Sequence, residues 1–233
     1  MMNWLDNYNN VQKDSSYYEL KDFCLLEIKG DDAEAVLQGQ STNDVKELND
    51  KSIHLSSLLT PQGKIISHHF LLKINKNNFY LLCAKSVAND VKAHLEKHII
   101  MEDADLALRD DLKLYHLYKL DASSSIMKEM GIQQAEPRHI YEFDAQYLLT
   151  AGFLGLDSAI LISKDDAPPK LDLEMCDETF KCLRMEAGFP IQDADYNQST
   201  LLPESGLQLH CVSYTKGCFT GQEIVARVKY RGN

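Results

Sequence analysis

Short apolar runs alternate with amphipathic stretches along the first hundred residues. FCLLEIKG (23–30) predicts a strand, and the DDAEAVLQGQ that follows predicts a helix with Asp31 as N-cap and Glu34 completing a capping box. IHLSSLLTPQGKIISHHFLLKI (53–74) predicts two strands joined by a Pro-Gln-Gly turn, because apolar residues flank a turn sequence on both sides. Strands followed by helices in this order are typical of an α+β fold with an antiparallel sheet.

The same alternation continues through the rest of the chain. FYLLCA (79–84) predicts a strand, and SVANDVKAHLEKHI (86–99) predicts an amphipathic helix from its apolar spacing. A second α+β segment begins near Leu106 with the alternating sequence LALRDDLKLYHLYKL. It later contains DETFKCLRMEAG (177–188), which predicts a helix ended by glycine.

Length and charge set the organisation and narrow the function. The chain has 233 residues, of which 44% are hydrophobic, enough for a substantial core. We predict two α+β lobes, residues 1–105 and 106–233. The formal net charge is −11, and an acidic protein repels phosphate backbones, so direct binding of nucleic acid is not expected.

The cysteines and the start of the sequence indicate a cytoplasmic protein. The six cysteines include no C-x-x-C pair, so we expect reduced thiols and no metal or cluster bound by the protein's own residues. The first residues, MMNWLDNYNN, lack the basic and apolar regions of a secretory signal. The most apolar stretch is interrupted by polar residues and glycine, so no membrane span is expected.

The sequence KGCFTGQEIVARVKYRG (216–232) places a cysteine just before a predicted helix. Thr220 and Glu223 fit a second capping box, with QEIVARVKY as the helix. Cys218 would then lie near the positive end of the helix dipole, two residues after Lys216, and both features favour a thiolate. The residues alone leave two interpretations, a functional thiol or a small apolar side chain packed beside a turn.

Glu186 is predicted in the last turn of its helix, where a negative charge is unfavourable. It is either held there for a ligand or is a solvated surface residue paired with a neighbouring cation. His68 and His69 are adjacent in a strand and point to opposite faces, so we expect one packed and one exposed, both structural. The neighbours His210 and Cys211 are also interpreted as structural.

Several of these motifs together resemble a known family. KGCFTGQEIVAR is similar to the signature of the YgfZ family of folate-binding proteins, relatives of the glycine-cleavage T-protein, an aminomethyltransferase. Stretches that agree in order and spacing are IKGDDAEAVLQGQSTNDV, LLTPQGKI, RMEAGFPIQDAD and LLPESGLQLHCVSYTKGC. The resemblance covers most of residues 23–231.

The resemblance implies an aminomethyltransferase-like, three-lobed fold that binds tetrahydrofolate in a central cavity. Family members support the maturation or repair of particular iron–sulfur enzymes, including some that modify tRNA. The implied function is therefore that of a tetrahydrofolate-binding accessory protein with iron–sulfur client proteins and an indirect effect on tRNA modification.

The resemblance also assigns roles to five residues. Cys218 matches the signature cysteine, a functional thiol, and Lys216 matches the signature lysine, near a basic residue that contacts folate in the T-protein. Glu186 matches a glutamate that meets the pterin ring, a role that suits a carboxylate because it accepts two parallel N–H bonds. Phe23 and Phe180 lie where relatives carry an aromatic residue, suited to stacking on a pterin or aminobenzoyl ring. We expect Cys218 and Glu186 to face one ligand.

The sequence departs from the pattern at two places. Where the T-protein has an acidic pair in the strand after the hairpin turn, this sequence has Ser67 and His68, which puts aminomethyl transfer by the T-protein mechanism in doubt. The family usually continues with a C-terminal β-barrel lobe, which we expect to be absent here because the sequence stops at Asn233.

Two other functions stay open at the level of the sequence. One is a folate-dependent aminomethyl or methyl transferase acting on another donor. The other is a thiol enzyme that uses Cys218 alone, although no His–Asp relay or nearby resolving cysteine is evident.

Overall fold

Two units divide the chain, and each is built from two separate segments. The computed structural model of the protein describes residues 3–120, 124–144, 146–153, 155, 158–165, 167–171 and 173–231. Unit 1 contains Met1–Lys21 and Asp110–Phe189, and unit 2 contains Asp22–Arg109 and Pro190–Asn233. The division into lobes 1–105 and 106–233 stays a prediction, because each of these units combines two segments that are separate in the sequence.

The elements are predominantly those that the hydrophobic pattern predicts. The strands are β1 (Ser16–Glu19), β2 (Phe23–Lys29), β3 (Ser52–Leu59), β4 (Ile65–Asn75), β5 (Asn78–Ala84), β6 (Asp105–Leu108), β7 (Lys113–Tyr118), β8 (Ile140–Phe143), β9 (Gln146–Leu149), β10 (Ser158–Ser163) and β11 (Leu173–Glu174). The helices are α1 (Trp4–Val11), α2 (Ala33–Gln40), α3 (Ala88–Glu96), α4 (Ser125–Glu129), α5 (Asp177–Glu186), α6 (Gln208–Cys211) and α7 (Gln222–Arg231), with 3-10 turns at Lys85–Val87 and Leu202–Ser205.

Unit 2 contains an antiparallel sheet that is buried on both faces. Its strand order is β3-β4-β5-β2-β6. One core cluster joins Leu71 of this sheet to Leu37 of α2 and Leu95 of α3. A separate cluster joins Ile65 to Val225 of α7. Because both faces are covered, β4 carries a nearly continuous apolar run in place of strict alternation.

Unit 1 contains a six-stranded sheet in the order β11-β1-β7-β10-β9-β8. The strand near the start of the chain, β1, lies between two distant strands, antiparallel to β7 and parallel to β11. A core cluster on this sheet includes Leu117, Ile126, Leu148 and Leu161. The sequence predicts neither α1 nor β1, because both are short and polar.

The predicted capping box at α2 is wrong. The helix begins at Ala33, and Asp32 is its N-cap without a side-chain capping bond. The Asp32 carboxylate instead accepts from the Asp103 N–H at 2.9 Å. The predicted cap, Asp31, accepts from the Asn77 side-chain amide at 2.5 Å, and Glu34 pairs with Lys73 at 2.7 Å, so tertiary partners take the carboxylates that the local pattern assigned to the cap.

The fold class is α+β, as predicted. Among the residues that the structure describes, no helix has the length and apolar character needed to cross a membrane.

Candidate functional site

The segment 216–221, here called the signature loop, leads into α7 and is attached to the end of α2. The Lys216 ammonium donates to three backbone carbonyls, those of Gln38 at 2.7 Å, Ser41 at 2.7 Å and Asn43 at 3.1 Å. It also lies 5.3 Å from the centre of the Phe219 ring. Gln38 lies in the last turn of α2, where a helix leaves carbonyls without partners, and Ser41 and Asn43 follow the last helical residue, Gln40.

These contacts use the whole donor capacity of Lys216. An ammonium group has three N–H donors, and the three carbonyls account for all of them. The side chain is buried, and burial lowers the pKa of Lys216 to about 8, an effect that Asp44 opposes. In this arrangement no N–H of Lys216 is left for a ligand. The folate contact assigned to Lys216 by resemblance stays a prediction.

A second attachment lies at the other end of the loop. The Thr220 hydroxyl donates to Gln40 Oε1 at 2.9 Å, and the Thr220 N–H donates to the Gly39 carbonyl at 3.3 Å. Gln40 Oε1 also lies 3.0 Å from His94 Nε2 of α3. Cys218 lies between the two attachments and is exposed. The alternative of a small side chain packed beside a turn is therefore not what the structure has.

The helix predicted after the signature loop is confirmed as α7, but its capping box is wrong. Thr220 uses its hydroxyl on Gln40, and Glu223 accepts from Arg227 at 2.7 Å within the helix. Among the described residues, Thr220 and Glu223 make no reciprocal capping bond. Cys218 consequently lies four residues before the first helical residue, Gln222.

Two glycines let the signature loop approach the hairpin turn between β3 and β4. Gly221 has φ +83°, and a Cβ there would lie 2.7 Å from the Thr60 carbonyl oxygen. Gly63 has φ +76°, and its Cβ would lie 2.8 Å from Ile224 of α7. Side chains at these positions are excluded both by backbone conformation and by space. The motifs LLTPQGKI and KGCFTGQEIVAR therefore meet in unit 2.

The prediction that only one of His68 and His69 is packed is wrong. Both are buried, because the sheet of unit 2 is covered on both faces. Burial lowers the pKa of each to about 3, so both are neutral imidazoles at pH 7. Ser67 beside them is also buried, so the two residues that replace the acidic pair of the T-protein supply no negative charge.

A buried polar chain surrounds His68. His68 Nδ1 lies 2.5 Å from Ser57 Oγ, and Nε2 lies 3.1 Å from Ser205 Oγ. The Ser57 hydroxyl also approaches Cys211 Sγ at 3.4 Å. Burial raises the pKa of Cys211 to about 12, so this thiol stays protonated. Sequence reasoning missed this chain, because its members are brought together only by the tertiary fold.

Glu186 belongs to unit 1 and is the last residue of α5. Its side chain is exposed, and both of its oxygens accept from the Tyr8 hydroxyl of α1, at 2.9 and 3.0 Å. The hydrogen bond to Glu186 raises the pKa of Tyr8. A phenol thus offsets the unfavourable position of this carboxylate at a helix C-terminus, in the place where the sequence suggested a neighbouring cation.

The two predicted aromatic residues differ in their surroundings. Phe180 of α5 is buried, and Tyr18 stacks on it with ring centres 4.1 Å apart and planes 7° apart. Tyr18 thus occupies one stacking face of Phe180. Phe23 begins β2 opposite Ala84 and is partly buried. Their stacking on a ligand stays a prediction.

The predicted residues fall into both units. Lys216, Cys218 and Phe23 belong to unit 2, whereas Glu186 and Phe180 belong to unit 1. Their meeting at one ligand therefore stays a prediction. In the part of the chain that the structure describes, no group of three or more His, Cys, Asp or Glu side chains could hold a metal ion.

Comparison with known proteins identifies the family. The GCVT N-terminal domain matches residues 2–118, which are 117 of the 233 residues. The tRNA-modifying protein YgfZ of Escherichia coli O157:H7 is 30% identical over 223 residues, covering 91% of this chain and 67% of the relative. The chain belongs to the YgfZ family. Another member, from Cronobacter sakazakii, is 28% identical over 221 residues, again covering 67% of its own length.

A solved structure supports the same fold for this YgfZ family member. The glycine cleavage system aminomethyltransferase T from Bartonella henselae superposes with a TM-score of 0.79. The match covers 97% of this chain and 66% of that protein, at 16% sequence identity. The predicted resemblance and the aminomethyltransferase-like α+β fold are therefore confirmed.

Proposed function

We propose that this protein is a cytoplasmic tetrahydrofolate-binding accessory protein of the YgfZ type. It supports the maturation or repair of iron–sulfur client enzymes and affects tRNA modification indirectly. The observation that carries this proposal is the match to proteins named tRNA-modifying protein YgfZ along 91% of the chain, with the signature cysteine exposed in its loop. An indirect effect on tRNA agrees with the net charge of −11, which is unfavourable for binding RNA.

Glu186 supplies the pterin-binding carboxylate in this proposal. Its side chain is exposed. Oε1 accepts from Tyr8 and from the Cys182 thiol, and Oε2 accepts from Tyr8, so the carboxylate keeps acceptor capacity for a ligand. Two carboxylate oxygens can accept parallel N–H bonds from an aminopyrimidine edge. Tyr8 would then hold the carboxylate in place as the ligand binds.

Titration calorimetry with tetrahydrofolate tests this role. Glu186→Ala should weaken binding by about tenfold or more, because a charge-assisted pair of hydrogen bonds is lost. Glu178→Ala is the matched control, since Glu178 is also an exposed glutamate of α5 but lies in its first turn. Equal affinities of the two variants for tetrahydrofolate would show that Glu186 does not bind the ligand.

The proposed reactive group is the Cys218 thiol. It acts on a cluster or a damaged adduct of the client, with the folate as a one-carbon acceptor or as an allosteric ligand. A strain lacking the gene should lose activity of iron–sulfur enzymes and regain it with the wild-type gene. Cys218→Ala should fail to restore it, whereas Cys176→Ala, a change at another cysteine that is partly exposed, should restore it. Full rescue by Cys218→Ala would contradict the thiol's role.

A further inference from the structure

The end of α2 lacks a cation of its own. The last turn of α2 contains no basic residue, although the terminal carbonyls carry partial negative charge. Lys216, from a segment about 175 positions further along the chain, takes this place. Its three acceptors are the carbonyls of Gln38, Ser41 and Asn43, one for each N–H of an ammonium group.

Moving Lys216 towards a ligand would leave these carbonyls without a donor. Ser41 is fully buried, so its carbonyl has no access to water that could replace the ammonium. A buried carbonyl without a partner is strongly unfavourable. The contacts that Lys216 makes within the protein therefore compete against any direct contact with a bound molecule.

We propose that Lys216 is a positioning residue for Cys218 and does not contact the bound folate. Lys216 at one end and Thr220 at the other fasten the signature loop to the end of α2, so that the intervening Cys218 is presented at a fixed place. Gln40 extends the attachment to α3, because its Oε1 is shared by Thr220 and His94. This inference rests on the proposed function only because the proposed function gives the Cys218 thiol its reactive role.

Fixing the backbone on both sides of a reactive group reduces the conformations that it must give up when it reacts. Packing holds one side of Cys218, because Phe219 is buried in the core cluster that contains Ile65 and Val225. On the other side, apart from its chain neighbours, Gly217 has no protein atom within 4 Å of the position where a Cβ would lie. The attachment at Lys216 supplies the constraint on that side.

Amide hydrogen exchange of the loop peptide measures the attachment directly. In Lys216→Met, exchange over residues 217–221 should become about 10- to 100-fold faster, since charge-assisted bonds no longer oppose opening. Exchange in β4 and β5 should be unchanged. Lys46→Met is the matched control, because it removes an exposed lysine three positions after Asn43 in the sequence. An unchanged loop in Lys216→Met would overturn the proposal.

Thr220→Val keeps the test decisive if Lys216→Met does not fold. This variant removes only the bond to Gln40, and it should speed exchange in the loop by a smaller factor, about threefold to tenfold. No local increase in Thr220→Val would count against the attachment.

Alkylation of Cys218 by iodoacetamide separates positioning from simple stability. At each pH, the alkylation rate of Cys218 in the folded protein is divided by the alkylation rate of the same cysteine in the unfolded peptide KGCFTGQEIV. In the wild type this ratio should change near pH 8, as Lys216 loses a proton beside Asp44 and the loop loses one hydrogen bond. In Lys216→Met the ratio should be flat, and a profile identical to the wild type would refute the proposal.

Tetrahydrofolate titration distinguishes this proposal from failure of the proposed function. Weakened binding in Lys216→Met with unchanged loop exchange would make Lys216 a ligand contact and overturn the inference. If no variant and no wild-type protein binds tetrahydrofolate, the proposed function fails, while the exchange result still decides whether Lys216 holds the loop.

Discussion

His116 gives the sharpest prediction about the interior of unit 1. It lies on β7 with no exposed surface, and neither ring nitrogen has a hydrogen-bond partner among the described residues. Phe180 and Phe153 lie near its ring, with centres 5.5 and 6.0 Å away. Burial lowers the pKa of His116 from 6.5 to about 3, so the native imidazole stays neutral well into the acid range.

The consequence is a loss of stability in mild acid. Below pH 6.5 the unfolded chain binds a proton at His116 that the native protein does not bind, so the free energy of unfolding falls with pH. Between pH 7.5 and 5.0 the fall is about 2 kcal/mol, and it depends only on the unfolded pKa, since the native pKa lies below this window. The loss would level off near pH 3.

Urea unfolding followed by the fluorescence of Trp4 measures this effect. Trp4 is the only tryptophan, and its helix α1 packs on α5 in the same unit as His116. His116→Leu cannot titrate, so its stability loss between pH 7.5 and 5.0 should be about 2 kcal/mol smaller than that of the wild type. Equal losses in the two proteins would refute the description of a buried, neutral His116 beside Phe180.

Two further substitutions test unit 2. Gly221→Ala should destabilise the protein by about 2–4 kcal/mol, seen as a lower Tm, because its Cβ would meet the Thr60 carbonyl at a positive φ; an unchanged Tm would contradict the close approach. The pKa of Glu27 is lowered overall: burial raises it, but hydrogen bonds from Lys29, Tyr80 and Arg109 have the larger combined effect. The ion pairs of Glu27 with Lys29 and Arg109 therefore stabilise the native state above the unfolded pKa of 4.5. Glu27→Gln should therefore cost about 2 kcal/mol at pH 7 in urea unfolding, and the difference should shrink as the pH falls below 4.5; a constant difference would contradict the ion pair.

Periodicity predicted the elements that bury a clear apolar face. The strand β2, the hairpin of β3 and β4, and the helices α3 and α5 were found near their predicted positions because their apolar spacing matches one period. It failed for α1, whose sequence WLDNYNNV is mainly polar and whose buried Asn7 donates to the Glu174 carbonyl. That contact joins positions 167 apart, which no local pattern reveals.

The capping boxes were the least reliable of the local sequence patterns, because neither predicted the hydrogen bonds that its residues make. Both predicted boxes contain the right residue types, but Glu34 and Thr220 bind tertiary partners instead. A capping bond contributes about 1 kcal/mol, so a salt bridge or a buried partner readily replaces it. A local sequence pattern contains no information about distant partners such as Lys73, which binds Glu34, and Gln40, which binds Thr220.

The sequence singled out residues of the candidate site by type, but it did not specify their surroundings. It left open whether Cys218 is a functional thiol or a packed side chain; the structure leaves Cys218 exposed, and its chemistry stays a prediction. It suggested Lys216 as the neighbour of a ligand, whereas the structure surrounds its ammonium with carbonyls. A lysine's partners depend on where its long side chain ends, which the sequence does not specify.

Isothermal titration of the wild-type protein with tetrahydrofolate tests the proposed function most directly. We expect saturable binding with one site per chain, and weaker binding for Glu186→Ala than for Glu178→Ala. The absence of heat with any reduced folate, from protein whose circular dichroism shows it to be folded, would contradict the proposed function.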